Sequence, residues 1–168
     1  MKLPKSLHAL FAALAVAAIT FSLAVSSQAQ TETVIYDFGL GYGGSYPDGT
    51  VALDGAGNIF GSTQNGGNCC GTVYELSPFY KGGWTHKVLK GFSSGSYGSY
   101  PAPTLALDTN GNLFGSTING GDTTKNCNGT GCGVVFELSE TSGGNWTETV
   151  LHTFSGGPDG GNPMATCW

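Results

Sequence analysis

Few side chains in these 168 residues are of types that do chemistry. Asp108, Asn110 and Asn112 alternate oxygen-bearing side chains, as the opening of a calcium loop does. The turn glycine of such a loop is missing, because Leu113 follows Asn112, and its twelfth position is Asn119 rather than Glu. An earlier copy of the stretch keeps only Asp54 and Asn58. Asp and Asn also bond their own backbone in tight turns. That is the simpler reading, with calcium as the alternative and no other cofactor implied.

Four tyrosines recur in Gly-rich stretches. Tyr46 and Tyr100 each precede a proline, and Tyr42 and Tyr97 sit just before them. An exposed tyrosine offers an apolar ring with a polar tip, which suits stacking on sugars; covering the end of a sheet is the plainer role. His86 and His152 do not correspond between the repeats, since Glu148 and Lys90 occupy the matching positions. Ser62 and Ser116 recur without the Gly-x-Ser-x-Gly setting of an esterase nucleophile. Glu75 and Glu137 recur on a strand, where paired carboxylates could serve glycoside hydrolysis. Cys69, Cys70, Cys127, Cys132 and Cys167 make an odd set. A Cys127–Cys132 bond closing one loop is expected, with a vicinal Cys69–Cys70 bond in the matching place and Cys167 left over. Bonds across such short loops gain little from chain entropy, so neither is expected to carry the fold.

These residues sit in an internal repeat. "VALDGAGNIFGST" from Val51 returns as "LALDTNGNLFGST" from Leu105, at a constant offset of 54 (Asp54 to Asp108, Gly61 to Gly115). Each copy is an apolar run, a Gly- or Asn-Gly-rich turn and a second apolar run, which predicts a hairpin. "GTVYELS" from Gly71 and "GVVFELS" from Gly133 follow at an offset of 62, so eight extra residues fall in the loop between Gly121 and Gly131. The openings "VIYDF", "VLKGF" and "VLHTF" start at Val34, Val88 and Val150.

Val134, Phe136 and Leu138 share one strand face and Val135 and Glu137 the other. The second unit is predicted to hold strands at 104–108, 112–117, 133–139 and 146–154. The fold class is therefore all-β: two antiparallel four-stranded sheets of β-propeller-blade type, with flanking strands at 34–38 and 150–154, in an incomplete ring. A β-sandwich or solenoid is the alternative. The sheets are expected to stack face to face, burying Leu105, Leu107, Phe114, Val134, Phe136 and Leu138 with their first-unit counterparts.

"LALDTNGNLFGSTINGG", "CGVVFELS" and "VLHTFSGGPDGGNP" together resemble the GloVer-type tandem repeat of secreted bacterial proteins. The resemblance runs from Val34 to Pro163. It implies an extracellular repeat protein, and it implies no reaction. The chain departs from the pattern by stopping where a third hairpin is due.

Residues 1–29 read as a secretory signal peptide: Lys2 and Lys5, an apolar core from Leu7 to Val25, then Ser27-Gln28-Ala29. The rest divides into a first repeat with its leading strand (30–87), a second repeat (88–149) and the start of a third (150–168). Beyond residue 29 there are four lysines, no arginine and eleven acidic residues, a balance of −7. That excludes a nucleic-acid partner and disfavours an anionic membrane surface. No span crosses a bilayer once the signal is removed. The expected role is a secreted or cell-surface binding or structural module, with an extracellular glycan as candidate ligand. The alternative is a propeller-type hydrolase or lactonase with a metal-dependent site. An enzyme site draws different residues from different repeats to one point, whereas the polar residues here repeat in register. Two units with open edges are expected to be a fragment of a longer protein or to self-associate.

Overall fold

A computed structural model describes residues 30–124 and 127–164. The proposed signal peptide and Cys167 lie outside them. The described residues contain no helix and form two antiparallel sheets that do not close on each other. The first sheet comprises β1 (Ser45–Pro47), β2 (Ala52–Leu53), β3 (Ile59–Asn65), β4 (Thr72–Pro78) and β5 (Trp84–Gly91). The second repeats it with β6 (Ser99–Pro101), β7 (Ala106–Leu107), β8 (Leu113–Asn119), β9 (Val134–Glu140) and β10 (Trp146–Thr153).

Each sheet has five strands where four were expected. The first strand is split: β1 pairs with the far end of β3 and β2 with its start, and β6 and β7 pair with β8 in the same way. Proline explains the break. Pro47 and Pro101 have no N–H for the ladder. Tyr46 and Tyr100 before them adopt left-handed φ angles of 57° and 56°. The chain leaves the sheet there and rejoins it at the hairpin. Strand β5 runs through the 87/88 repeat boundary, and the 150–153 part of the expected trailing strand is the end of β10.

Glycines sit where a side chain would not fit. Gly61 and Gly115 pair across the ladder with Tyr74 and Phe136, whose rings lie over them. Both outer strand pairs carry a bulge at matching positions, leaving Leu89 and Leu151 unpaired.

One apolar cluster joins the sheets: Phe60, Val73, Leu89 and Phe92 from the first repeat with Leu105, Leu113, Val134, Phe136 and Leu138 from the second. Phe92 meets Phe136 at 5.3 Å between ring centres, and Phe60 meets Trp146 at 6.3 Å. Lys90 reaches across to Glu148 at 2.5 Å. Burial pushes the Glu148 carboxyl above the usual range, and Lys90 offsets only part of that rise.

Four burial expectations change. Phe114 and Leu107 are half-buried, and Leu113 is fully buried instead. Pleat alternation is the cause: Leu113 shares a face with Phe136 and Leu138, toward the first sheet, and Phe114 points away. In the first unit Val51 and Leu53 are 47% and 63% exposed, because among the described residues no second sheet covers their side.

The leading strand at 34–38 does not form. The preceding β4-like strand it would pair with is not among the described residues. Tyr36 and Phe38 instead cover the outer face of the first sheet: Tyr36 stacks on His86 at 4.5 Å and Phe38 packs on Tyr74 at 4.8 Å.

Burial lowers the His86 pKa, and its Nε2 has no hydrogen-bond partner. The unfolded imidazole takes up its proton near pH ~6.5 and the folded one only at lower pH. Stability should therefore be complete above pH ~6.5 and fall as pH drops below it. Urea midpoints between pH 7.5 and 5.5 should show this fall, and His86→Phe should flatten it.

Candidate functional site

Each sheet carries hairpin turns at one end and Gly-rich loops at the other, and the candidate residues divide between these ends. At the hairpin end, Asp108 is consumed by its own turn. Its Oδ1 accepts from the N–H of Asn110 and of Asn112, both at 2.8 Å, and Oδ2 accepts from Asn112 Nδ2 at 3.1 Å. Asp54 repeats the arrangement with Ala56 and Asn58. Desolvation raises both carboxyls, but the several hydrogen bonds together outweigh it and hold them below the usual range. The Asp108, Asn110, Asn112 set is thus an Asx-type turn. No group of three or more His, Cys, Asp or Glu among the described residues is placed to hold a metal.

A lowered carboxyl pKa contributes stability that is present above the unfolded value and lost as pH falls through the folded one. Two such turns should give a midpoint that is level above about pH 4 to 5 and falls as pH drops below the unfolded carboxyl value of about 3.9. In the Asp54→Asn, Asp108→Asn double variant the amide oxygen still accepts the turn bonds. Its urea midpoint should be flatter over that range.

Between the hairpin ends lies a polar cavity of about 270 Å³, lined by Asp54, Asn58, Glu75, Asn110, Glu140 and Trp146 among others. Glu75 accepts from the Ser77 hydroxyl at 2.9 Å. Glu137 does not line this cavity, so the recurring pair Glu75 and Glu137 is not drawn to one point.

Among the described residues the histidines and serines do not assemble a nucleophile. Ser62 Oγ donates to the Ala102 carbonyl at 3.1 Å. His152 Nε2 lies 3.2 Å from Asp159 Oδ2, and the Ser155 hydroxyl bonds the other oxygen of the same carboxylate. The carboxylate stands between serine and imidazole, so His152 is not hydrogen-bonded to Ser155 as its base would be. This cluster escaped sequence reading because Asp159 has no counterpart in the other repeats.

At the loop end the four tyrosines are exposed, Tyr42 at 61%, Tyr46 at 65%, Tyr97 at 56% and Tyr100 at 37%. They do not converge. Tyr42 lines a shallow groove with Tyr36 and Leu40. Tyr97 lies under Lys90 Nζ, 5.0 Å from the ring centre. Tyr100 lines a cleft of about 440 Å³ with Ser94, Ser99, Asn119, Thr123 and Thr130. Cys70 completes one wall. Its carbonyl accepts from the Tyr100 N–H at 2.7 Å, which fixes the tyrosine backbone in its left-handed conformation.

Cys69 with Cys70 and Cys127 with Cys132 stand at disulfide distance. Cys127–Cys132 closes the inserted loop, whose Thr130 and Gly129 form the far wall of the same cleft. Paired cysteines are compatible with an extracellular protein. No described helix is long and apolar enough to cross a membrane.

No protein-family model, no curated protein and no solved structure matches this chain.

Proposed function

We propose that this protein is an exported repeat module of the GloVer type, built of propeller-blade sheets, that binds a neutral glycan in the Tyr100 cleft. The lining of that cleft carries the reading: one aromatic ring among hydroxyls and an amide, with no charged side chain among the described residues. Neutral polyhydroxyl ligands need an apolar ring to stack on and short polar groups to hydrogen-bond, and no countercharge. The signal-like N-terminus and the paired cysteines support an extracellular setting. Polar groups repeating in register support binding over catalysis.

The test is titration calorimetry of the mature chain against a panel of neutral oligosaccharides. Tyr100→Asn is the informative variant, because Asn162 already holds the matching left-handed position at φ 50°. Loss of the stacking ring should weaken binding about tenfold, corresponding to ~1.4 kcal/mol. Tyr46→Asn, away from the cleft, should leave affinity unchanged. No binding across the panel, or equal loss in both variants, defeats the proposal.

A further inference from the structure

The two sheets hold the same residues in two states. On the first sheet Phe60, Ser62, Val73 and Leu89 are 4%, 4%, 0% and 9% exposed. Their identical counterparts on the second sheet are Phe114, Ser116, Val135 and Leu151. The first three are half-buried and Leu151 is 50% exposed. The difference is the cover. The second sheet lies over that face of the first, placing Trp146 on Phe60 and the Ala102 carbonyl on Ser62. Among the described residues no sheet lies over the matching face of the second. A cavity of about 300 Å³ opens there along Thr104, Ala106, Phe114, Ser116 and Val135.

A second observation identifies the occupant. Between the sheets, the connector after β5 is tied down by Phe92 N–H to the Gly71 carbonyl at 2.9 Å and Tyr100 N–H to the Cys70 carbonyl at 2.7 Å. Pro101 then lies against Gly71. After β10 the chain repeats all three contacts. Phe154 N–H donates to the Gly133 carbonyl at 3.0 Å, Asn162 N–H to the Cys132 carbonyl at 2.6 Å, and Pro163 lies against Gly133. In the first case this connector leads into the sheet that covers Phe60, Ser62 and Val73.

We propose that the face bearing Phe114, Ser116, Val135 and Leu151 is a docking surface for a further sheet of the same repeat, led in by residues 154–163. That sheet presents alternating apolar side chains in the pattern of Leu113, Phe136 and Leu138. It offers a backbone carbonyl to the Ser116 hydroxyl, as Ala102 does to Ser62. It needs no acidic residue at the Glu148 position, because Lys87 and Lys90, which reach the Gly144 carbonyl and Glu148, are matched by Thr149 and His152.

Ser62 and Ser116 provide an internally matched test. Ser62→Cys and Ser116→Cys are made in separate full chains, and maleimide labelling is followed peptide by peptide by mass spectrometry. In the chain as it stands, position 116 should label at least about tenfold faster than 62, since reaction at a buried site waits on local opening. The chain is then continued after Pro163 with a second copy of residues 102–163. Labelling at 116 should slow to the rate at 62. Fast labelling at 116 in the continued chain would overturn the proposal. So would an added segment that stays unfolded and protease-sensitive, since a face shaped for that sheet should fold it. Slow labelling at 116 in the uncontinued chain that becomes fast on dilution would give the face to a second copy of the chain and overturn the choice of occupant.

Discussion

Phe136→Ala should lower stability by about 3–5 kcal/mol, the range for truncating a fully buried phenylalanine. Phe136 is 0% exposed. It packs on Phe92 from the first repeat, lies over Gly115 and Leu105 in its own, and sits in the one cluster that both sheets share. The cavity left behind cannot close easily, because sheet backbones border it on two sides. Since the ring belongs to both sheets, the loss should appear as one shifted transition in urea with an unchanged slope. Phe114→Ala is the comparison. That ring faces the open side and is half-buried, so its truncation should cost only about 1 kcal/mol. A Phe136→Ala chain that melts in two steps, with the first sheet unaffected, would show that the sheets fold independently.

The contrast between those two phenylalanines marks what the sequence could and could not tell. Strand positions were legible because the pattern repeats: "VVFELS" alternates cleanly, and β8, β9 and β10 lie within two residues of their expected bounds. That Cys127 and Cys132 stand at disulfide distance across the inserted loop agrees with the pairing expected from their spacing. Which face of β8 is interior was not. "NLFGST" places apolar residues at 113 and 114 on opposite faces, and only the direction in which the sheets stack decides between them. The split of the first strand was hidden for another reason. Proline announces a missing donor but not the left-handed turn at the tyrosine before it. The tyrosines themselves could be picked out by type and recurrence, yet only Tyr100 lines the cleft between the Gly-rich loops. The inserted loop supplies the far wall of that cleft, and its length and cysteine pair were legible in the sequence while its position beside Tyr100 was not. The failed strand at 34–38 follows the same logic: "VIYDF" has strand composition, but the strand that "VLKGF" and "VLHTF" pair with has no counterpart before it among the described residues.

Gly133→Ala should be among the more damaging single-methyl changes in the described residues, at about 2–5 kcal/mol. Two costs combine. Gly133 has a φ of +91°, where an L side chain costs about 1–2 kcal/mol. The added methyl would also collide with the Thr117 carbonyl and come within 2.9 Å of Pro163 Cδ and 3.1 Å of the Ile118 carbonyl. Overpacking of this kind adds about 1–3 kcal/mol, and more when the obstacle is backbone that cannot rotate away. The same residue holds two junctions. Its N–H donates to Gly120 and its carbonyl accepts from Phe154, both at 3.0 Å. Any shift that relieves the clash therefore loosens the start of β9 and the connector beyond β10 together. Gly111→Ala separates the two costs. Gly111 has a similar φ of +87° but open space around it, so it should lose only the conformational share of about 1–2 kcal/mol. Urea midpoints for the two variants should differ accordingly, and Gly71→Ala, at the matching place in the first repeat with φ +101° and the Thr63 carbonyl in its way, should behave like Gly133→Ala. Equal midpoints for Gly111→Ala and Gly133→Ala would mean that the strand junction yields freely, and that the close approach at Gly133 contributes little to holding the connector in place.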